Sequence, residues 1–450
     1  MSALWAVADL VKATGGVASG EWCAWRVEID SRKVQAGDIF VALIGDNFDG
    51  HDFVAKALEK GAIATIVSKK LSIDCHQLIV PDTLKALEDL AKYNRARTSA
   101  KVVGITGSVG KTSAKEMLKI VLSAHGKTYA TAGNYNNHIG TPLNLANLPL
   151  DAEFAVFEMG MNHIGEIAHL TNMVQPHIAV ITNVEAVHLE FFTGVEEIAQ
   201  AKAEIFESNP SHAIINADQP FFRNVAAQQL LFGASEKSDC RLLKYVPTIN
   251  GCEIDADICD KKISYKLSAT GKHFAIASLS VLAVANALNL PLQQSINALA
   301  KYKEVEGRGQ VNKVGNFYLI NDAYNASPAS MKASFAKTAE VWQVNGQKGR
   351  KIAVLGDMLE LGKTSGLLHA DLAKSLIEHG FNAVYCAGDV MKNLYDALPK
   401  TMQAGYTKIT NELLPLLKFQ LNDVVLIKGS HGSKMYEVAD NIMKEKTNVI

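Results

Sequence analysis

The sequence predicts an α/β protein of three domains: a small N-terminal α/β domain, a central phosphate-loop domain with a mainly parallel sheet, and a C-terminal Rossmann-like domain. Three observations lead there. At 450 residues the chain is longer than one ordinary hydrophobic core organises. Short apolar runs alternate with helical patterns through most of its length, as in parallel sheets covered by helices. That alternation restarts twice, near residue 99 and after Gly307-Arg308-Gly309. The expected divisions are therefore 1–98, 99–310 and 311–450.

Element by element, Ile39 to Ile44 is an apolar run stopped by Gly45-Asp46-Asn47, and Ala62 to Val67 is another before Ser68-Lys69-Lys70. From Thr83 to Thr98, Leu84, Leu87, Leu90 and Ala91 recur among charged residues, so an amphipathic helix leads into the central domain. Strands are expected there at Lys101 to Ile105, Phe154 to Phe157, Ile178 to Ile181 and Ala213 to Ile215, with helices between them. The third domain repeats the pattern at Phe317 to Ile320, Lys351 to Leu355, Ala383 to Cys386 and Val424 to Ile427. It lacks the Gly-x-Gly-x-x-Gly dinucleotide fingerprint. No internal repeat or low-complexity tract is present.

Composition narrows the function classes. Hydrophobic residues make up 48% and charged residues 20%, the balance of a globular protein. A formal net charge of −1 gives no electrostatic reason to expect a nucleic-acid partner. The six cysteines are scattered without a Cys-x-x-Cys pair, which suits reduced thiols. Met1 to Gly20 lacks a basic start with an apolar core, and no apolar run is long enough to span a bilayer. A cytoplasmic protein without membrane insertion is the expectation.

The most specific segment is Gly104-Ile105-Thr106-Gly107-Ser108-Val109-Gly110-Lys111-Thr112-Ser113. It joins the apolar run Val102 to Ile105 to a helical pattern from Ala114 to Ala124. Gly107 and Gly110 free the backbone to turn amides toward phosphate, Lys111 brings positive charge, and Thr112 offers a hydroxyl to Mg2+. The first glycine of a standard Walker loop is replaced by Ile105, leaving Gly-x-x-Gly-Lys-Thr-Ser. Nucleotide binding through Gly107, Ser108, Val109, Gly110, Lys111, Thr112 and Ser113 follows.

Other candidates lie at predicted strand ends. Glu158 follows Phe154 to Phe157, where a carboxylate can face a phosphate-bound metal, and hard Mg2+ wants such oxygens. His188, in the segment after Ile178 to Ile181, falls on the same rim. His51, His163 and His169 read as ordinary hydrogen-bonding histidines. By residue type alone, Lys202 reads as a solvated helix lysine. Asn134-Tyr135-Asn136-Asn137, Asn321 to Pro328 and Lys428 to Gly432 each read as turn chemistry when taken singly.

Taken together and in order, these segments resemble the Mur ligase family of ATP-dependent amide-forming enzymes across essentially the whole chain. The marks are Asp30-Ser31-Arg32, Asp49-Gly50-His51-Asp52-Phe53, Thr106 to Ser113, Asn134 to Asn137, Glu158-Met159-Gly160, Asn183 with His188, and Ala201-Lys202-Ala203-Glu204. Further marks are Asn216-Ala217-Asp218, Gly307-Arg308-Gly309, Asp322-Ala323-Tyr324-Asn325-Ala326, Gly356 to Gly362 and Lys428-Gly429-Ser430. Within the family the chain is most similar to ligases that add D-alanyl-D-alanine to UDP-N-acetylmuramoyl-tripeptide. The Asp-Asn-Pro-Arg motif of the meso-diaminopimelate-adding ligase is absent, and so is the Rossmann-like start of the earlier muramyl ligases.

The resemblance implies ATP and Mg2+ as cofactors, two small-molecule substrates and a monomer. Ser31 and Arg32 would belong to the UDP-sugar site; Asn136, Asn137, Lys428 and Ser430 would also contact substrate. Lys111, His188, Lys202 and Arg308 would be catalytic, and Thr112, Glu158, His188 and Lys202 would hold metal, Lys202 as a carbamate. Asp322 and Asn325 would line ATP with Arg308. An acyl phosphate on the tripeptide carboxylate would be attacked by the amine of D-alanyl-D-alanine. The family's Gly-x-His-Asn-x-x-Asn segment reads Gly271-Lys272-His273-Phe274-Ala275-Ile276-Ala277 here, so both asparagines expected near adenine are missing. Phe274 can pack but cannot replace an amide's hydrogen bonds. Competing readings are another ligase of the superfamily, such as a folylpolyglutamate synthase, or a nucleotide-binding protein without catalysis.

Overall fold

A computed structural model describes residues 3–222 and 225–444. Three large sheets follow one another along the chain. The first has five strands in the order Val17–Ala18, His76–Ile79, Ala64–Val67, Asp38–Val41, Arg26–Glu28, parallel except for the first pair. Helix Thr83–Arg97 closes this unit, its N-terminus capped by Asp82, which accepts from Leu84 N and Lys85 N. The unit does not end cleanly there: Leu143 and Ala146 of helix Gly140–Ala146 complete its core beside Trp5, Leu10 and Leu87.

The second sheet has nine strands. In order they are Thr128–Ala130, Phe154–Glu158, Lys101–Thr106, Ile178–Ile181, His212–Asn216, Gln228–Gly233, Cys240–Thr248, Gly251–Ile258 and Lys261–Leu267. The first seven run parallel, and Gly251–Ile258 pairs antiparallel with both of its neighbours. The sheet's central parallel strands are largely apolar because both faces are covered: Val103, Ile105 and Val180 face one core, Val102, Ala155 and Ile181 the other. The last four strands were not expected from the sequence, which suggested none between Ile215 and Phe317. Their pattern explains this: Gly251–Ile258 buries alternate residues (Cys252, Ile254, Ala256, Ile258) among acidic ones, a half-exposed strand rather than an apolar run.

The third sheet has six strands in the order Gln310–Val314, Phe317–Asp322, Val424–Lys428, Lys351–Gly356, Ala383–Ala387, Gln403–Thr407, parallel except for the first pair. Apolar cores again lie on both faces. The α/β class with three successive sheet units is as the sequence predicts. No helix among the described residues is long and apolar enough to cross a membrane.

Candidate active site

Strand Lys101–Thr106 lies inside the second sheet between Phe154–Glu158 and Ile178–Ile181, so the loops after all three meet at one rim. This is where open α/β sheets place ligands. Two glycines shape the phosphate loop. Gly107 has φ 147° and sits so close to Thr182 that a Cβ would lie 1.9 Å from its Oγ1. Gly110, with φ 84°, caps helix Lys111–Ser123 in the left-handed conformation.

The loop is braced from the neighbouring strand end. Asn183 accepts from Ser108 N through its carbonyl (3.0 Å) and from Val109 N through Oδ1 (2.8 Å). Ser108 Oγ donates to Glu185 O and accepts from Glu185 N. The amides of Ser108 and Val109 are thus used internally. The first-turn amides of Lys111, Thr112 and Ser113 have no acceptor within their helix and supply the anion-binding end.

Around this turn the structure gathers the residues named from distant segments. Thr112 Oγ1 donates to Glu158 Oε2 (2.9 Å), and Asn136 Nδ2 donates to Glu158 Oε1 (2.8 Å). Glu158 is 2% exposed. Lys111 Nζ curls back onto Gly107 O at 2.5 Å, and its pKa is pushed down by burial against the pull of Glu158, with Arg308 adding repulsion. Lys202 and His188 feel the Lys111 charge in turn. Lys111 is therefore the electrostatic centre of the group.

Lys202 does not lie on a solvated helix face. It is 2% exposed at the end of helix Val195–Ala203, without a hydrogen bond or ion pair among the described residues. Burial, then Lys111, pushes its pKa well down. Burial without a partner charge disfavours its ammonium form. Among the described residues no three His, Cys, Asp or Glu side chains cluster to hold a metal. The hard oxygens of Thr112 and Glu158 form the sparse donor set suited to a divalent cation that keeps waters and substrate phosphates.

The remaining candidates fall at two edges. Arg308 stacks on Tyr324, its guanidinium 3.8 Å from the ring centre, where Gly309 N also bonds Asn321 O. Lys428 is buried and donates to Asp322 Oδ2 (2.6 Å) and Asn325 O (3.0 Å), while Ser430 Oγ accepts from Leu359 N (2.9 Å). These four make an internal network of the third unit. On the opposite side, Arg32 is 77% exposed and forked onto Asp30, holding that carboxyl down at about 2; Ser31 is buried beside it. Lys33 Nζ donates to Tyr135 OH, which draws this corner toward Asn136 and Asn137. Asn137 Oδ1 accepts from Gly140 N, a turn role.

Nothing in residue spacing marks Lys115, yet its fully buried ammonium donates to Thr131 O and Gly133 O and fixes the loop carrying Asn136. Glu204 is likewise structural in its contacts, accepting from Gly165 N and Ala168 N. Phe274 is buried and 5.0 Å below Lys337 Nζ, so it packs.

A phosphate loop facing a carboxylate and a buried lysine within the second of three successive α/β units is the arrangement of a nucleotide-binding site. The sequence matches the Mur ligase family catalytic domain over residues 26–105, the Mur ligase middle domain over 105–285 and the Mur ligase glutamate ligase domain over 307–431. The chain belongs to the Mur ligase family. It is 38% identical to the UDP-N-acetylmuramoyl-tripeptide--D-alanyl-D-alanine ligase of Rickettsia prowazekii over 92% of this chain and 94% of that one. It is 35% identical to the Escherichia coli enzyme of the same name, over 94% of each. Among solved structures, MurF from Acinetobacter baumannii superposes with a TM-score of 0.88 at 31% identity, covering 98% of this chain and 99% of that one. MurF from Thermotoga maritima in complex with ADP superposes with a TM-score of 0.81 at 31% identity, covering 94% and 98%.

Proposed function

We propose that this chain joins D-alanyl-D-alanine to UDP-N-acetylmuramoyl-tripeptide with hydrolysis of ATP to ADP and phosphate, in the synthesis of peptidoglycan precursor in the cytoplasm. The observation that carries the reading is the convergence of Thr112, Glu158 and the unpaired Lys202 around Lys111, in a chain whose relatives of that name match it from end to end.

A carboxylate oxygen is a poor leaving group, so the tripeptide carboxylate must first be phosphorylated. Lys111 and the helix N-terminus at Thr112 and Ser113 hold the β/γ-phosphates, and Arg308 adds charge from the junction with the third unit. When bound, Mg2+ shields the phosphoryl oxygens and makes phosphorus more electrophilic. Thr112, Glu158 and His188 would hold it. The Lys202 amine, once deprotonated, would add to CO2, forming an N–C bond and releasing a proton, and the resulting carbamate would offer the metal an anionic oxygen ligand. The amine of D-alanyl-D-alanine then attacks the acyl phosphate carbon, and phosphate leaves.

Asp322 and Asn325 line ATP, and Ser31, Arg32, Asn136, Asn137, Lys428 and Ser430 position the two other substrates. The divisions 1–98, 99–310 and 311–450 separate the uridine-nucleotide, ATP and closing units of a monomer. The test is ATP turnover with mass detection of product over a panel of UDP-muramoyl peptides. Turnover should require both the tripeptide nucleotide and D-alanyl-D-alanine, and ADP release without either amide product or acceptor dependence overturns the reading.

A further inference from the structure

His188 is held by a residue from the third unit. Its Nδ1 lies 2.6 Å from Glu360 Oε2, a separation of 172 residues in sequence. The contact is reinforced by backbone: Glu190 N donates to Glu360 O at 3.2 Å, and Gly362 approaches so closely that a Cβ would come within 3.2 Å of Glu190 Cα and Leu189 O. Both His188 (φ 53°) and Glu360 (φ 60°) occupy the left-handed region, which non-glycine residues enter at a cost and keep where their surroundings impose it. The segment presenting Glu360 is itself fixed, with Met358 N donating to His369 Nε2 and Leu359 N to Ser430 Oγ, both at 2.9 Å.

A carboxylate only accepts hydrogen bonds, so Nδ1 carries the proton in this contact, and in the neutral ring Nε2 then keeps the lone pair. That is the tautomer a metal-ligating histidine needs, and a carboxylate on the other nitrogen is how such rings are oriented and made more basic. The geometry points to Glu360 as a positioning residue that sets the His188 tautomer for the metal from the third unit, so that the ligand set is complete only when that unit is docked. This rests on the reading of His188 as a metal ligand. Linkage then requires metal binding and docking to favour each other.

Mn2+ binding, followed by the electron paramagnetic resonance of free Mn2+ in the presence of a non-hydrolysable ATP analogue and corrected for Mn2+ held by the analogue alone, tests the assignment. Glu360→Ala should weaken binding about tenfold or more, the range seen when such outer partners are lost. Glu360→Gln should retain most of it, because an amide oxygen still accepts from Nδ1. His188→Ala should weaken binding too, and the double variant should be no weaker than His188→Ala alone. Unchanged Mn2+ binding in His188→Ala removes the ligand reading itself. A loss in His188→Ala with none in folded Glu360→Ala overturns the role of Glu360, as does tighter binding in Glu360→Ala, which would make the contact a competitor of the metal. An equal loss in Glu360→Gln and Glu360→Ala overturns the tautomer argument.

Discussion

At the scale of single residues, two lysines of the same charge type are given opposite tasks by their neighbours. Lys111 sits opposite Glu158 and keeps a use for its charge, whereas Lys202 has only Lys111 to feel and no acceptor among the described residues. If Lys111 stabilises the transferring phosphoryl group, Lys111→Ala should lower kcat by roughly 10²–10³, the loss typical of one electrostatic stabiliser. Circular dichroism should show the fold intact; near-normal turnover in a folded variant removes the role. For Lys202 the charge reversal should matter more than side-chain length. Lys202→Ala should be nearly inactive, a titration with acetate or propionate should restore part of the activity by supplying an oxygen ligand, and Lys202→Arg should stay inactive. An alanine variant as active as wild type sinks the carbamate.

Elements carry the next layer, because the loop works only if its backbone path is fixed. Gly107 cannot accept a side chain: its φ is 147° and Thr182 Oγ1 occupies the space. Gly107→Ala should therefore lower the melting temperature and raise KM for ATP together, with a stability cost on the order of 1–3 kcal/mol. Adding Thr182→Ala should recover only the steric share, since the backbone conformation remains unfavourable; full recovery in the double variant would show that strain plays no part. The loop was legible in sequence because Gly107, Gly110 and Lys111 have local meaning. So were strands Phe154–Glu158 and Ile178–Ile181, buried on both faces and therefore continuously apolar. The antiparallel strands Gly251–Ile258 and Lys261–Leu267 were not, because their exposed face scatters Glu253, Asp255, Lys262 and Lys266 through the pattern. Burial of Lys202 and Lys115 was illegible for another reason: it depends on contacts outside their own helices, for Lys115 the carbonyls of Thr131 and Gly133.

For the whole molecule, the two junctions differ in kind. Between the first and second sheets an apolar core is shared through Leu143 and Ala146, and buried hydrogen bonds cross it: Trp5 Nε1 donates to Ala146 O (3.0 Å), Asn94 Nδ2 to Leu145 O (2.7 Å). Between the second and third the named contacts are polar. Tyr245 OH donates to Glu340 Oε2 (2.7 Å), Lys337 Nζ bridges Glu304 Oε1 (2.7 Å) and Gly309 O, and His188 meets Glu360. Relative motion is the expectation at a polar inter-domain interface and is opposed by a shared apolar core, so it belongs to the second junction and not to the first. Substrate binding should then draw the third unit inward as a rigid body, which also shields an acyl phosphate from water. Small-angle scattering of the protein alone, with an ATP analogue, and with analogue plus UDP-muramoyl-tripeptide should show a stepwise fall in radius of gyration. A label pair across Leu143 and the first unit should keep its distance while a pair across residues 245 and 340 changes. Identical scattering in all three states, or movement confined to the first junction, would exclude closure by the third unit.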